Sequence, residues 1–238
     1  MKKKDKLLKL LLIMVFLGLG IWYVAIFGGA NIIKFYVASG IGDCGKIPIL
    51  CMLPIEKITV QANKECIAEF LPYSFSKIQV YLPKGFNVTC ELTKKAYYKR
   101  KAYKQRNSYA YLLYEEPGFF LELFPQLKKA GVKNNYEFIE RVMCANYNGI
   151  KNINDAFFVI MKSIFIPDLG DQRKVRMMRI AIGNKRGFLS YNIDKDATYF
   201  ESSLIDDRDQ FFKICVKDRS AKIGQEQIFA IISTLDKP

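Results

Sequence analysis

The chain is 238 residues long and half apolar, with 37 Lys and Arg against 23 Asp and Glu and a net charge of +14. That much apolar surface excludes a disordered or low-complexity chain. There is no histidine, which excludes Ser-His-Asp and Cys-His nucleophile sites, HExxH zinc sites and any histidine general base within the chain.

Residues 1–9, MKKKDKLLK, form a basic tail, and residues 10–33, LLLIMVFLGLGIWYVAIFGGANII, carry no charge until Lys34 closes the run. About 20 apolar residues cross a hydrocarbon core as a helix, so 10–33 is expected to be one transmembrane anchor, with Trp22 and Tyr23 suited to an interfacial belt. The competing reading is a cleaved signal peptide with its site at Gly28-Gly29-Ala30 and a mature chain starting at Asn31. The apolar stretch before Gly28 is longer than the usual h-region of about 7–15 residues, which favours the anchor. Asp43 stands before Cys44 where lipidation wants a small residue. Both readings leave the lysine-rich tail in the cytoplasm and export the rest. Six of the 37 basic residues lie within residues 1–34, so part of the basicity is targeting charge.

Residues 34–75 are punctuated by Gly40, Gly42, Gly45, Pro48, Pro54 and Pro72 and read as a stalk, with a short strand near Ile58 to Gln61. Residues 76–238 read as one exported domain. Of the six cysteines (Cys44, Cys51, Cys66, Cys90, Cys144 and Cys215), Cys44 and Cys51 flank a short loop containing Gly45 and Pro48 and are expected to pair. Cys144 falls in an expected helix and Cys215 in an expected strand, where free thiols are common. With no CxxC pair and no histidine, metal and redox chemistry are disfavoured.

Lys77 to Leu82 and Phe86 to Leu92 alternate around Pro83-Lys84-Gly85 as two strands and a turn. Tyr109 to Tyr114 and Phe119 to Phe124 flank Glu115-Glu116-Pro117-Gly118, a hairpin signal. Asn134 with Glu137 gives a capping-box start for a helix over Tyr136 to Asn146. Asp155 to Phe165 reads as a buried helix, with a buried strand as competitor. Two hairpins follow: Lys174 to Ile182 with Gly187 to Ile193, and Ala197 to Ile205 with Gln210 to Val216. A last helix over Gly224 to Leu235 carries Ile228, Ile231, Ile232 and Leu235 as one stripe. Successive hairpins with helices gathered elsewhere predict an α+β domain with an antiparallel sheet.

The stretches IQVYLPKGFNV, YEFIERV, KRGFLSYN, YFESSLIDDRDQFFKICV and QEQIFAIISTL, over about residues 77–237, resemble the PsbP/Mog1-like family of exported domains. The resemblance implies an α/β/α sandwich with a central antiparallel sheet, and a binding or assembly role without a shared catalytic site. No functional residue carries over from it.

Lys94 to Arg106, KKAYYKRKAYKQR, gathers Lys94, Lys95, Lys99, Arg100, Lys101, Lys104 and Arg106 with three tyrosines and no acid. Phosphate backbones and stacked bases suit such a pattern, but an exported domain meets little nucleic acid. Anionic lipid headgroups or acidic surface glycans fit better. The plain alternative is a solvated strand pair whose lysines protect a sheet edge. Arg173, Lys174, Arg176, Arg179, Lys185 and Arg186 form a second basic stretch, which with the first would make one basic face; its alternative is an ordinary sheet exterior. Arg179 alternates with Met178 and Ile180 and is expected on the outer side of a strand.

Asp206, Asp207 and Asp209 lack the glycine and distant glutamate of a calcium loop and read as turn formers. Glu115 and Glu116 would point to opposite faces of a strand, which argues against a paired acid/base site. Neither GxGxxG nor GxxxxGK[ST] occurs, and no cofactor is expected. The sequence thus predicts a single-pass, membrane-anchored, exported binding or assembly factor. Its partners are the bilayer through the N-terminal helix and an anionic lipid or envelope protein. An enzyme using Asp, Glu, Lys or Tyr, and a self-associating envelope protein, are the competing readings.

Overall fold

The computed structural model describes residues 28–60, 64–75, 78–94, 98–105, 108–166, 169–219 and 223–235. Most of the expected anchor, residues 10–27, therefore lies outside the described residues. Helix α1 (Gly29–Gly40) takes up the end of the uncharged run, and a 3-10 turn covers Pro48–Cys51. Strand β1 (Ile55–Thr59), a 3-10 turn at Lys64–Ile67, β2 (Leu71–Phe75) and β3 (Ile78–Leu82) follow. Then come β4 (Asn87–Lys94), β5 (Tyr98–Gln105) and β6 (Ser108–Glu115). Helices α2 (Phe119–Leu123), α3 (Gln126–Lys129), α4 (Asn135–Cys144) and α5 (Ile153–Phe165) precede β7 (Arg176–Ile182), β8 (Lys185–Ile193), β9 (Thr198–Ile205) and β10 (Phe211–Asp218). Helix α6 (Gln225–Ser233) is last. Among the described residues no helix is long and apolar enough to cross a membrane.

Eight strands form one sheet in the order β1-β7-β8-β9-β10-β6-β5-β4, antiparallel throughout except for the parallel pair β1–β7. The fold is thus mixed α+β with a large, mostly antiparallel sheet and packed helices. Alternation divides β6 to β10 between two cores. Phe212, Ile214 and Val216 join α6, the β2–β3 hairpin and the Lys64–Ile67 turn on one face. Phe211, Phe188 and Ile205 meet α2 to α5 on the other. Burial on both faces explains why β8 to β10 are almost continuously buried rather than half solvated.

The helices start where the sequence marks them. Asn134 accepts the amide of Glu137 at the start of α4, at 2.8 Å. Asn152 and Asp155 close a capping box on α5. On α6 the side chains of Ile228, Ile231 and Ile232 are fully buried, as is Leu235 just beyond its end. The β7–β8 turn tightens to Gly183-Asn184, with Gly183 at φ +55°, and Cys44 and Cys51 are joined by a disulfide with Cα atoms 5.6 Å apart.

Three expectations give way to long-range packing. Strands β3 and β4 do not pair with each other: β3 pairs with β2 under α6, and β4 pairs with β5. Ile78, Val80 and Leu82 are fully buried, the amide of Tyr81 donates to Thr234 Oγ1 at 3.1 Å, and Gly85 at φ +101° turns the chain out of that layer. The run after Gly118 is a helix, not a hairpin strand. Phe119, Phe120 and Leu121 are buried consecutively on its one short turn. Phe120 stacks 4.4 Å from Phe138 and lies 5.2 Å from Phe211. Finally, residues 34–75 are part of the domain rather than a stalk. Val60 and Ile67 join one core, Ile49 the other, and Val37 and Leu50 a third cluster with Ile150, Ala156 and Val159.

Lys162 holds that third region together. It is fully buried on α5, and its ammonium donates to the carbonyls of Ala145, at 2.8 Å, and Met52. Burial pushes its pKa down from 10.5 to about 8, against a smaller upward pull from Cys144. Below about pH 8 folded and unfolded chains both carry the proton. Between about 8 and 10.5 the folded chain has released it while the unfolded chain keeps it, so stability rises with pH across that window. A neutral amine still has two N–H groups for the two carbonyls. The full-length protein is therefore expected to gain about 3 kcal/mol relative to Lys162→Met between pH 7 and 10.5. Denaturant unfolding of both in mild detergent measures this, and a pH-independent difference would refute it.

A candidate binding depression between two turns

A depression of about 510 Å³ opens where the β7–β8 and β9–β10 turns meet the start of α4. Lys57 of β1, Asn134 and Tyr136 of α4, Arg179, Arg186 and the aspartates of the second turn line it. Its floor is fixed by Asp209. This residue sits at φ +62°, and its carboxylate accepts the amides of Gly118, Asn135 and Tyr136 at 3.2, 3.0 and 3.2 Å. The buried Asn135 side chain completes the brace. Its amide donates to the carbonyls of Glu116 and Asp209, and its oxygen accepts the amide of Phe120. Asp206 closes its own turn by accepting the amides of Arg208 and Gln210. The free end of α4 is thus already filled by an internal carboxylate, which makes it a poor seat for an external anion.

Above this floor Arg186 and Asp207 are exposed and Tyr136 and Arg179 half-buried, giving groups of both signs. The Arg186 guanidinium lies 3.8 Å over the ring of Tyr136, a stacked geometry that Arg adopts and Lys does not reproduce. Burial, then the nearby Glu140, hold the Tyr136 phenol above its ordinary pKa, against Arg186 and Arg179; it remains a protonated donor. Arg179 bonds Glu140 at 2.9 Å and Cys144 Sγ at 3.1 Å. It therefore lies under α4 on a helix-covered face, not on the free exterior of the sheet. Asp207 accepts from Asn184 across the two turns at 3.4 Å. Among the described residues no group of three or more Cys, Asp or Glu converges to hold a cation. The arrangement can recognise a polar, charged surface.

The sequence-predicted basic residues are distributed differently. Lys94 ends β4, and Lys99, Arg100, Lys101 and Lys104 lie in β5, while Lys95 and Arg106 fall outside the described residues. Lys99 and Lys101 pair with Tyr114 and Leu112 of β6, whereas Arg100 and Lys104 pair with Leu113 and Tyr109. These partners belong to the two alternating sets of β6. The second stretch is largely neutralised: Arg173 pairs with Asp171, Lys174 with Asp194 and Arg179 with Glu140. Lys185 is buried, 5.5 Å from the Phe212 ring. Three strands separate β8 from β5, about 19 Å at ordinary strand spacing. Lys57, Tyr136 and Glu140 had no signal in the sequence beyond the Asn134 cap beside them.

No protein-family model and no curated protein matches the chain.

Proposed function

We propose that this protein is a single-pass, membrane-anchored module whose domain works outside the cytoplasm as a non-catalytic binding or assembly factor, of the PsbP/Mog1-like kind. The observation that carries the reading is the junction at α1. The uncharged run ends inside this helix, and the helix is packed on the domain: Val37 is buried, Lys34 Nζ donates to the carbonyl of Asn148 at 2.8 Å, and the Tyr147 hydroxyl donates to the carbonyl of Lys34 at 3.2 Å. A segment that anchors the chain thus also carries the domain. The open depression supports binding rather than turnover, since Arg186, Tyr136 and Asp207 offer donors and acceptors without enclosing a substrate. An envelope protein presenting charges of both signs is the partner class it suits.

Fractionation of the full-length protein, tagged at its C-terminus, tests the anchor. The protein is expected to remain in carbonate-washed membranes with residues 1–30 attached, and its domain to be digested only by protease added from outside the cytoplasm. A soluble product whose first residue is Asn31 would overturn the reading in favour of a signal peptide.

A further inference from the structure

Helix α1 has two apolar sides. Ile33 and Val37 face the third core cluster. Ile32, Phe35 and Tyr36, spaced i, i+3, i+4 on another stripe, are 50%, 69% and 70% exposed. Across a furrow of about 410 Å³ lined by Gly29, Ala30 and Ile33, the first turn of α5 adds Ile153, 76% exposed, beside the exposed Lys151. Four large apolar side chains in the open on adjoining elements are not covered by any described part of the domain.

We infer that this surface rests on the lipid bilayer, so that the domain lies directly against the membrane rather than hanging from it; the inference rests on the anchor reading above. Distance decides the occupant. The uncharged run ends at Ile33, and a helix rises 1.5 Å per residue, so Phe35 and Tyr36 lie about 3–5 Å beyond that end. The headgroup zone on each side of the roughly 30 Å hydrocarbon core is about 5–7 Å deep. These two rings therefore fall inside it, and interfacial belts are where aromatic residues are enriched. The hydrogen bonds joining Lys34 to Asn148 and Tyr147 fix α1 to the domain, and Ile153 and Lys151 line the furrow beside Gly29, Ala30 and Ile33, at the end of the uncharged run. Lysine at that level suits anionic headgroups.

Depth-dependent fluorescence quenching of the full-length protein in phosphatidylcholine–phosphatidylglycerol vesicles separates this inference from the one beneath it. Trp22, the single tryptophan of the chain, reads the anchor, and a W22F/F35W variant reads the α1 surface. Because Phe35 is exposed, F35W should leave the fold intact; W22F/Y36W repeats the measurement one position on. Both indoles are expected to emit at shorter wavelength than in water and to resist acrylamide; Trp22, which precedes Ile33 by about 16 Å of helix, should be quenched most by lipids brominated deep in the acyl chains, and the F35W indole by lipids brominated near the headgroup. If Trp22 is quenched by brominated lipid while the F35W and Y36W indoles are quenched only by acrylamide, the docking surface is refuted and the anchor stands. If Trp22 is not quenched by lipid, the anchor reading fails and this inference falls with it.

Discussion

Adding a single methyl group at Gly187 is expected to prevent β8 and β9 from closing. Gly187 pairs with Leu204, and a Cβ there would lie 2.0 Å from the carbonyl oxygen of Ser203 and 2.9 Å from its carbon. The obstacle is backbone in the middle of the sheet, so no side chain can swing away to relieve it. Gly187→Ala should therefore cost about 4 kcal/mol or more, among the largest losses single substitutions produce. For a domain of this size that lowers Tm by roughly 10 °C or more. Gly183→Ala is the matching control. That glycine sits in the β7–β8 turn at φ +55° and has open space around it. Its replacement should cost only about 1 kcal/mol, the ordinary strain of a side chain at positive φ. Thermal melting of the two full-length variants tests the pair, and equal midpoints would refute the close-approach argument.

The second large effect is expected at the buried ion pair between β9 and β10. Lys213 Nζ lies 2.9 Å from Glu201 Oε1, both side chains are almost completely buried, and the ammonium also donates to the carbonyl of Phe165 and lies 4.7 Å from that ring. The Ser203 hydroxyl donates to the same Glu201 oxygen at 3.2 Å. Glu201→Leu leaves a buried ammonium without its counter-charge and should cost about 3–5 kcal/mol, whereas Glu201→Leu with Lys213→Met together should recover most of that loss. Lys213→Met alone has a pH signature. Burial already pushes the Glu201 carboxyl above its ordinary value of 4.5, against the pull of Lys213. Without Lys213 the folded chain holds a proton, just above 4.5, that the unfolded chain has lost. Its stability should therefore rise as pH falls through that window. Denaturant midpoints for the three variants measure this. A double variant no better than Glu201→Leu would show that the pair is replaceable by neither charge nor bulk.

The elements read correctly from the sequence are those whose signals are local. Asn134 and Asn152 cap α4 and α5 through amides three residues away. The α6 stripe repeats within three turns, and the two last hairpins are marked by short turns between alternating strands. The Cys44–Cys51 disulfide spans seven residues. For each of these the deciding free energy comes from neighbours in the chain, so the sequence by itself determined them, along with the predominance of antiparallel strands and packed helices.

Partner choice was decided only by the tertiary structure. The alternation in Ile78 to Leu82 is satisfied equally well beside β4 or β2; the apolar underside of α6 selects β2 by burying Ile78, Val80 and Leu82. Residues 55–59 carry nothing that announces a parallel partner some 120 positions later in β7. The same holds for the candidate site, where Lys57, Tyr136, Arg186 and Asp207 come from separate elements. A period-2 pattern states which residues share a face but not which strand lies alongside. Burial against distant side chains supplies that missing term, and it exists only once the sheet and its two helical layers are assembled.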